Sequence, residues 1–377
     1  MSKSKVLKGF KFRLCPTPEE EAVLSQHGGN ARFLWNSMLA LNQLEYKKSK
    51  TFVFYTAMAK MLPKMKQENF PFLRESHSQS LQQVCKDLDH ALRGCFRDGK
   101  GFPRFKRKGD ARDSFTIHQK FKIRRERIYI PKIGWVEWVK HRALQGKPKG
   151  ITISQDGDQW YVSVKCELQV ELPEPTPEMV EGVEGVDLGL KDFLVSSTGE
   201  HVGHPKHLQA SERRLKRAQR ALSRKKKGSS NRQKAKRKVQ RIHRQIRRQR
   251  QNFLHKLSHD LVKNHDGIAV EGLNVKGMMA NHCLAKAVGS SGWGEFRRQL
   301  EYKATWQGKH YVEVERFYPS TQTCSECGHR KTGEEKLRLS DRIFECAECG
   351  FVKDRDENAA VNIKREGQRV LRERLRV

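Results

Sequence analysis

The sequence predicts a multidomain α+β protein, on three observations. The apolar period switches from the three- and four-residue spacing of helices to the alternation of strands, and back again. A proline-rich acidic stretch, "ELPEPTPEMVEG", divides the chain near residue 173, and two CxxC pairs near its end have the spacing of a metal knuckle. With 377 residues there is room for two or three domains with real cores.

The first segment, "VLKGFKFRLCPTPEEE", alternates apolar and basic residues over "GFKFRL" and stops at Pro16 and Pro18. It reads as a short strand followed by a helix start, with Thr17 as N-cap and acids in the first turn. From residue 22 to about 96 the pattern is helical, clearest in "ARFLWNSMLALNQLEY" and "SLQQVCKDLDHALRGCF". "GFPRFKRKGD" then breaks the helices with a basic, aromatic cluster. Over residues 114–170 the period is two: "SFTI", "RIYIPKIGWVEW" and "GITISQDGDQWYVSVKCEL" read as strands, with "QDGDQ" as a hairpin turn. After the linker, "VEGVDLGLKDFLVSSTG" reads as two buried strands. A very basic helical stretch follows from about 207 to 263, interrupted near "KKKGSSN".

Charge constrains the partners more than the fold. The formal net charge is +33, charged residues make up 32%, and the pI is about 10. Residues 211–250 hold 19 Lys or Arg against one acid, Glu212. Charge of one sign repels itself unless a polyanion neutralises it, so nucleic acid is the expected partner. No apolar run approaches the roughly 18 residues of a spanning helix, and the basic N-terminus lacks a signal peptide's apolar core. An intracellular, soluble protein with no membrane partner is the expectation.

Of nine cysteines, Cys15, Cys85, Cys95, Cys166 and Cys283 are scattered and read as ordinary thiols. Cys324, Cys327, Cys346 and Cys349 form two CxxC pairs 18 residues apart, the spacing of a four-cysteine zinc ribbon. Each pair lets two thiolates converge on one tetrahedral ion, and Gly328 and Gly350 suit the tight knuckles. Four thiolates close the site, so His329 is left out and the single Zn²⁺ is structural.

Three carboxylates stand out. Asp187 follows the apolar run "GVEGV", and Glu271 ends "GIAV". Each is followed closely by a glycine, and an acid at a buried strand is costly unless paired or bound to metal. Asp356 lies in "DRDENAAVNI", whose tail has the look of a helix, where an acid at the start also has ordinary dipole electrostatics to offer. Three carboxylates from two strands and a helix can hold two Mg²⁺ roughly 4 Å apart, suited to phosphodiester hydrolysis.

In this order, "GVDLGLKDF", "GIAVEGLNV", CxxC…CxxC and "DRDENAAVNI" resemble the RuvC-type nuclease domain of TnpB, also called OrfB. Insertion sequences encode these proteins, which are related to the ancestors of type V CRISPR effectors. The likeness extends upstream through "FKFRLCPTPEEEAVL", "ARFLWNSML", "SLQQVCKDLDHALRGCF" and "GFPRFKRK", and so covers nearly the whole chain. It implies a wedge-like β-barrel from residues 1–20 and 111–172, with a helical recognition lobe, 21–110, inserted. After a linker at 173–182 it implies an RNase H-like (RuvC) α/β nuclease domain, 183–377. That domain would contain the basic helical hairpin, 207–263, and the zinc ribbon inserted at 318–352.

The same resemblance implies an RNA-guided, Mg²⁺-dependent DNA endonuclease acting in the prokaryotic cytoplasm at the nucleoid, as a monomer bound to RNA. The guide RNA would come from the element's end, and the double-stranded target would be cut beside a short recognition motif. Asp187, Glu271 and Asp356 match the family's acids, Asp356 over Asp354 because the family's acid lies two residues before Asn. Candidate duplex contacts are Tyr55 and Gln82; candidate phosphate contacts are Arg104, Lys106 and Arg107, with Lys236, Lys238, Arg247 and Arg248 on the basic helix. Two alternatives stand beside this reading: a transposase cutting and joining element ends directly, and a nuclease-inactive nucleic-acid-binding regulator.

Overall fold

The computed structural model describes residues 2–99, 101–108, 113–338 and 340–375. The expected junction between helical lobe and strands, at 110/111, lies outside them. The chain forms two compact units, Lys5–Leu168 and Met1–Ser4 with Gln169–Val377.

In the first unit, strand β1 (Ser2–Leu14) turns Phe10, Phe12 and Leu14 inward and Lys11 and Arg13 outward. Helix α1 (Pro18–Ser49) starts as its sequence dictates: Thr17 accepts from the Glu20 N–H and Glu20 reaches back to the Thr17 N–H. Helices α2 (Tyr55–Lys64) and α3 (Ser78–Arg97) follow. Leu24, Leu34 and Met38 of α1 pack with Leu81, Leu88 and Leu92 of α3 in one core. The strands are β2 (Ser114–Ile117), β3 (Lys122–Ile123), β4 (Arg127–Ile130), β5 (Gly134–Val139), β6 (Lys147–Asp156) and β7 (Gln159–Leu172). They join β1 in a seven-stranded sheet of order β2-β6-β7-β1-β5-β4-β3. The expected closed barrel is not found: among the described residues no pairing joins β2 to β3. These edge strands have four and two residues, too few ladder hydrogen bonds to close a cylinder.

The second unit opens with a short helix α4 (Pro177–Glu181), capped by Thr176, and builds a five-stranded mixed sheet. Its strands are β8 (Val183–Asp187), β9 (Asp192–Ser196), β10 (His201–Gly203), β11 (Gly267–Glu271) and β12 (His310–Val314), in the order β10-β9-β8-β11-β12. β8, β11 and β12 are parallel; β9 runs antiparallel between β8 and β10. Between β10 and β11 lie α5 (His207–Ser223) and α6 (Ser230–Asn264), a hairpin with its own small core of Leu215, Ala218, Val239, Ile242 and Ile246. Helices α7 (Val275–Ala280), α8 (His282–Ser291) and α9 (Trp293–Trp306) lead to β12. A small ribbon, β13 (Ile343–Glu345) with β14 (Val352–Asp354), precedes the last helix, α10 (Arg355–Leu375).

Both faces of this sheet are covered, which explains its unbroken apolar runs. Ile268 and Val270 of β11 face Leu254 and Leu261 of α6 and Phe296 and Leu300 of α9. Ala269, between them in sequence, faces Ile363 and Leu371 of α10. The approach of α10 is close enough to require glycine in β8: a Cβ on Gly185 would run into the Ala360 carbonyl.

Candidate active site and metal centre

Parallel register places the acids. Val270 pairs with Val186, so the next residues, Glu271 and Asp187, end adjacent strands, which lie about 4.8 Å apart. α10 packs across β8 and brings its first turn to the same end. Asp187 is only 8% exposed. Burial first, then the charges of Glu271 and Asp356, push its carboxyl up to about 8, against a smaller lowering by Arg355. Burial also raises the Glu271 carboxyl, offset in part by Arg297.

The three acids at 354–357 have three different fates. The Asp354 carboxylate accepts from the Asp356 N–H at 2.9 Å and the Glu357 N–H at 3.3 Å, capping α10. Glu357 pairs with His201 at 3.2 Å, and His201 in turn with Asp192. Asp356 is left to face Asp187, with Arg355 donating to its Oδ1 from Nε at 3.0 Å and from Nη2 at 2.8 Å. Arg355 also donates to the Asp341 carbonyl at 2.8 Å.

The cysteines form a ready metal centre. Sγ of Cys324 lies 3.7 Å from that of Cys349, and Cys327 lies 3.6 Å from Cys346. Thiolates on a tetrahedral zinc with bonds of ~2.3 Å stand about 3.8 Å apart, so the quartet fits a structural Zn²⁺. Two equivalent knuckles hold it: the Gly328 N–H donates to Cys324 O and the Gly350 N–H to Cys346 O, both at 3.0 Å. Both glycines take positive φ, 80° and 71°. His329 pairs with Glu335, outside the ligand set. The carboxylates are held less tightly. Among the described residues, the cysteines are the group whose metal-binding atoms all lie within 4.8 Å of one another.

Two residues that sequence reasoning missed tie the metal centre to the acid site. Asn358 donates to the Thr323 carbonyl at 2.7 Å and accepts from the Ser325 N–H at 2.9 Å. Asn362, one turn on, donates to the carbonyls of Ser320 and Thr323 at 2.8 and 2.6 Å. Both are buried, at 0% and 2% exposure, and grip the first knuckle beside Cys324. The available signal was two amides four apart on the face of α10 that also carries buried alanine and isoleucine.

The other candidates are dispersed. Tyr55 lies at the start of α2 beneath Lys86, 5.0 Å from its ring centre, and Gln82 is exposed on α3. Arg104 and Arg107 are exposed, whereas Lys106 is half-buried, 3.8 Å over the Trp35 ring and tied to Asn36 through its backbone. Its role in packing competes with one in phosphate contact. Lys236, Lys238 and Arg248 are exposed on α6 and Arg247 is half-buried there. None of these nine belongs to the carboxylate or cysteine cluster.

Three family profiles match the chain. They are described as "Probable transposase" over residues 163–282, "Cas12f1-like, TNB domain" over 293–363 and "Helix-turn-helix domain" over 1–51. The last segment is here one strand and the whole of one long helix. The chain is 36% identical to "Putative RNA-guided DNA endonuclease InsQ" of Escherichia coli (strain K12), over 97% of its own length and 94% of the relative's. It is 35% identical to "Putative RNA-guided DNA endonuclease" of Streptomyces pristinaespiralis, over 96% and 90%. Its fold is similar to one in a cryo-EM structure of a Cas12f1–sgRNA–target DNA complex, with a TM-score of 0.56 and 13% identity, covering 96% of this chain and 99% of that one.

Proposed function

The chain belongs to the OrfB/TnpB family of insertion-sequence proteins, and on that premise we propose that it is an RNA-guided DNA endonuclease. Asp187, Glu271 and Asp356 are its catalytic acids. One observation carries the assignment: Asp187 is buried at a strand end with two further acids facing it, an arrangement that raises its carboxyl to about 8. All-oxygen, hard donors of this kind fit Mg²⁺. Two such ions, when bound, would activate water and stabilise the leaving 3′ oxygen.

The chain's own residues set the geometry. Asp187 and Glu271 are fixed by parallel pairing, and Asp356 by the first turn of α10, which Asp354 caps. Arg355 holds one oxygen of Asp356 and thereby its rotamer. Residues 1–20 and 111–172 are assigned to the wedge, 21–110 to the recognition lobe and 183–377 to the nuclease domain. The RNA supplies sequence choice by pairing, while Tyr55 and Gln82 contact the duplex beside the target and Arg104, Lys106 and Arg107 contact phosphates. The RNA-bound monomer acts on DNA in the cytoplasm.

The test uses protein purified with its bound RNA, which is sequenced to design a matched duplex. Wild-type protein should cut that duplex in Mg²⁺. Asp187→Ala should abolish cutting and leave RNA binding nearly intact. Unchanged cutting in that variant would remove the carboxylate assignment, and no cutting of any matched duplex by wild type would return the chain to a binding regulator.

A further inference from the structure

Of the acids at 354–357, Glu357 is the one that neither caps α10 nor faces Asp187. Both of its oxygens are nonetheless held. Oε1 lies 3.2 Å from Nε2 of His201, and Oε2 lies 3.6 Å from Nζ of Lys353 in β14. The other ring nitrogen of His201, Nδ1, lies 3.3 Å from Oδ2 of Asp192 at the start of β9. One imidazole therefore joins the edge hairpin of the sheet, β9 and β10, to the first turn of α10.

The charge of the ring follows from its partners. A carboxylate only accepts, so two carboxylates on two nitrogens require a proton on each, which makes His201 an imidazolium. Glu357 first and then Asp192 raise its pKa above the ordinary histidine value, with a smaller contribution from Asp354 and some opposition from burial. Its place is set by register. Val195 pairs with His201 on one side and with Asp187 on the other. Paired residues point to one face, so His201 and Asp187 stand on the face that α10 covers, two strand spacings or about 10 Å apart. That distance, with both N–H groups engaged, leaves the ring no direct part in the chemistry. At 34% exposure its ion pairs also add little to stability. What the bridge does fix is direction. Asp356 and Glu357 are consecutive on a helix, about 100° apart around its axis, so a hold on one sets the aim of the other.

We propose that His201 is a positioning residue of the carboxylate site: bridging Asp192 and Glu357, it draws Glu357 to the sheet edge and thereby aims Asp356 at Asp187. The proposal rests on the nuclease reading for the role of Asp356, but its first test does not use cutting.

Full-length protein with its bound RNA is prepared with isotope-labelled histidine rings, and His201 is assigned by NMR as the resonance lost in His201→Ala. In wild type this ring should titrate above the ordinary value of about 6.5, and Glu357→Gln should move its midpoint back down. An ordinary midpoint, or one that Glu357→Gln leaves in place, would overturn the bridge. Calorimetry then follows the part of Mg²⁺ binding that Asp187→Ala abolishes. His201→Ala should weaken it about tenfold, as removal of a group that orients a metal ligand does. His201→Arg, which keeps a cation with donors for two carboxylates, should restore most of it. On a matched duplex His201→Ala should lower kcat about tenfold and leave KM and the melting temperature of the metal-free protein unchanged. Adding Glu357→Gln should cost nothing further, because both changes break one bridge. Unchanged Mg²⁺ affinity and kcat in His201→Ala, equal losses in His201→Arg, or additive losses in the double variant would each sink the proposal. So would a drop in melting temperature that accounts for the loss, which would make His201 a merely structural tie. If wild type cuts no matched duplex, the nuclease reading falls, while the titration and the Mg²⁺ affinity still decide the bridge.

Discussion

Asp187 carries the clearest residue-scale consequence. Its carboxyl ionises at an ordinary 3.8 in the unfolded chain and at about 8 in the folded metal-free protein. Between those values the folded state holds the extra proton. The stability this confers is fully present below about pH 4 and is lost as pH rises towards 8. Asp187→Asn removes the dependence. Thermal melts of metal-free protein should therefore fall more steeply from pH 5 to 8 in wild type than in the variant; parallel curves would contradict the buried, mutually repelling acids. For the same reason Mg²⁺ must displace a proton, so its affinity should rise with pH, by up to about tenfold per unit, and level off near 8. Calorimetry in two buffers of different ionisation heat would detect the proton. At this scale the sequence was legible where the signal was local: Thr17 caps α1, and Asp187 and Glu271 end buried strands. The distinct fates of Asp354 and Asp356 were not legible from spacing alone. They are set by which carboxylate turns back to the helix N–H groups, and family resemblance had to choose.

At the scale of elements, α10 and the cysteine ribbon behave as one piece. Asn358 reaches Ser325 and Asn362 reaches Ser320 across 33 and 42 residues of chain, separations that no local pattern reveals. Replacing either by Ala leaves buried backbone groups unpaired, at a cost of about 1–3 kcal/mol each. Urea unfolding should register that loss, and chelation should strip zinc faster from Asn358→Ala than from wild type. Equal chelation rates would mean that the clamp does not support the knuckle. Removing zinc should, by the same path, speed hydrogen exchange around residues 320–330 and in the first turns of α10, leaving β8 and β11 protected. Gly185→Ala tests the helix-to-sheet approach: forcing α10 outward should cost about 1–3 kcal/mol, as overpacked cores do. The strands of the first unit were readable from their alternation, but their closure was not. A closed barrel needs edges long enough to pair, and β3 offers two residues.

For the whole molecule, the net charge of +33 and the buried acid cluster fit one division of labour. The basic surface gathers a polyanion, and the carboxylates meet it through cations. Neutralising Lys236, Lys238, Arg247 and Arg248 together should lower the slope of log affinity against log salt by roughly 0.7 to 0.9 for each phosphate that is left without its cation. An unchanged slope would make α6 a merely solvated helix. RNA guidance is tested most directly by cutting of a duplex matched to the bound RNA, compared before RNA removal, after it, and after reconstitution with an RNA of altered guide sequence. Cutting should be lost with the RNA and return only on duplexes matched to the new guide. Equal cutting of the original duplex by RNA-free protein would contradict it.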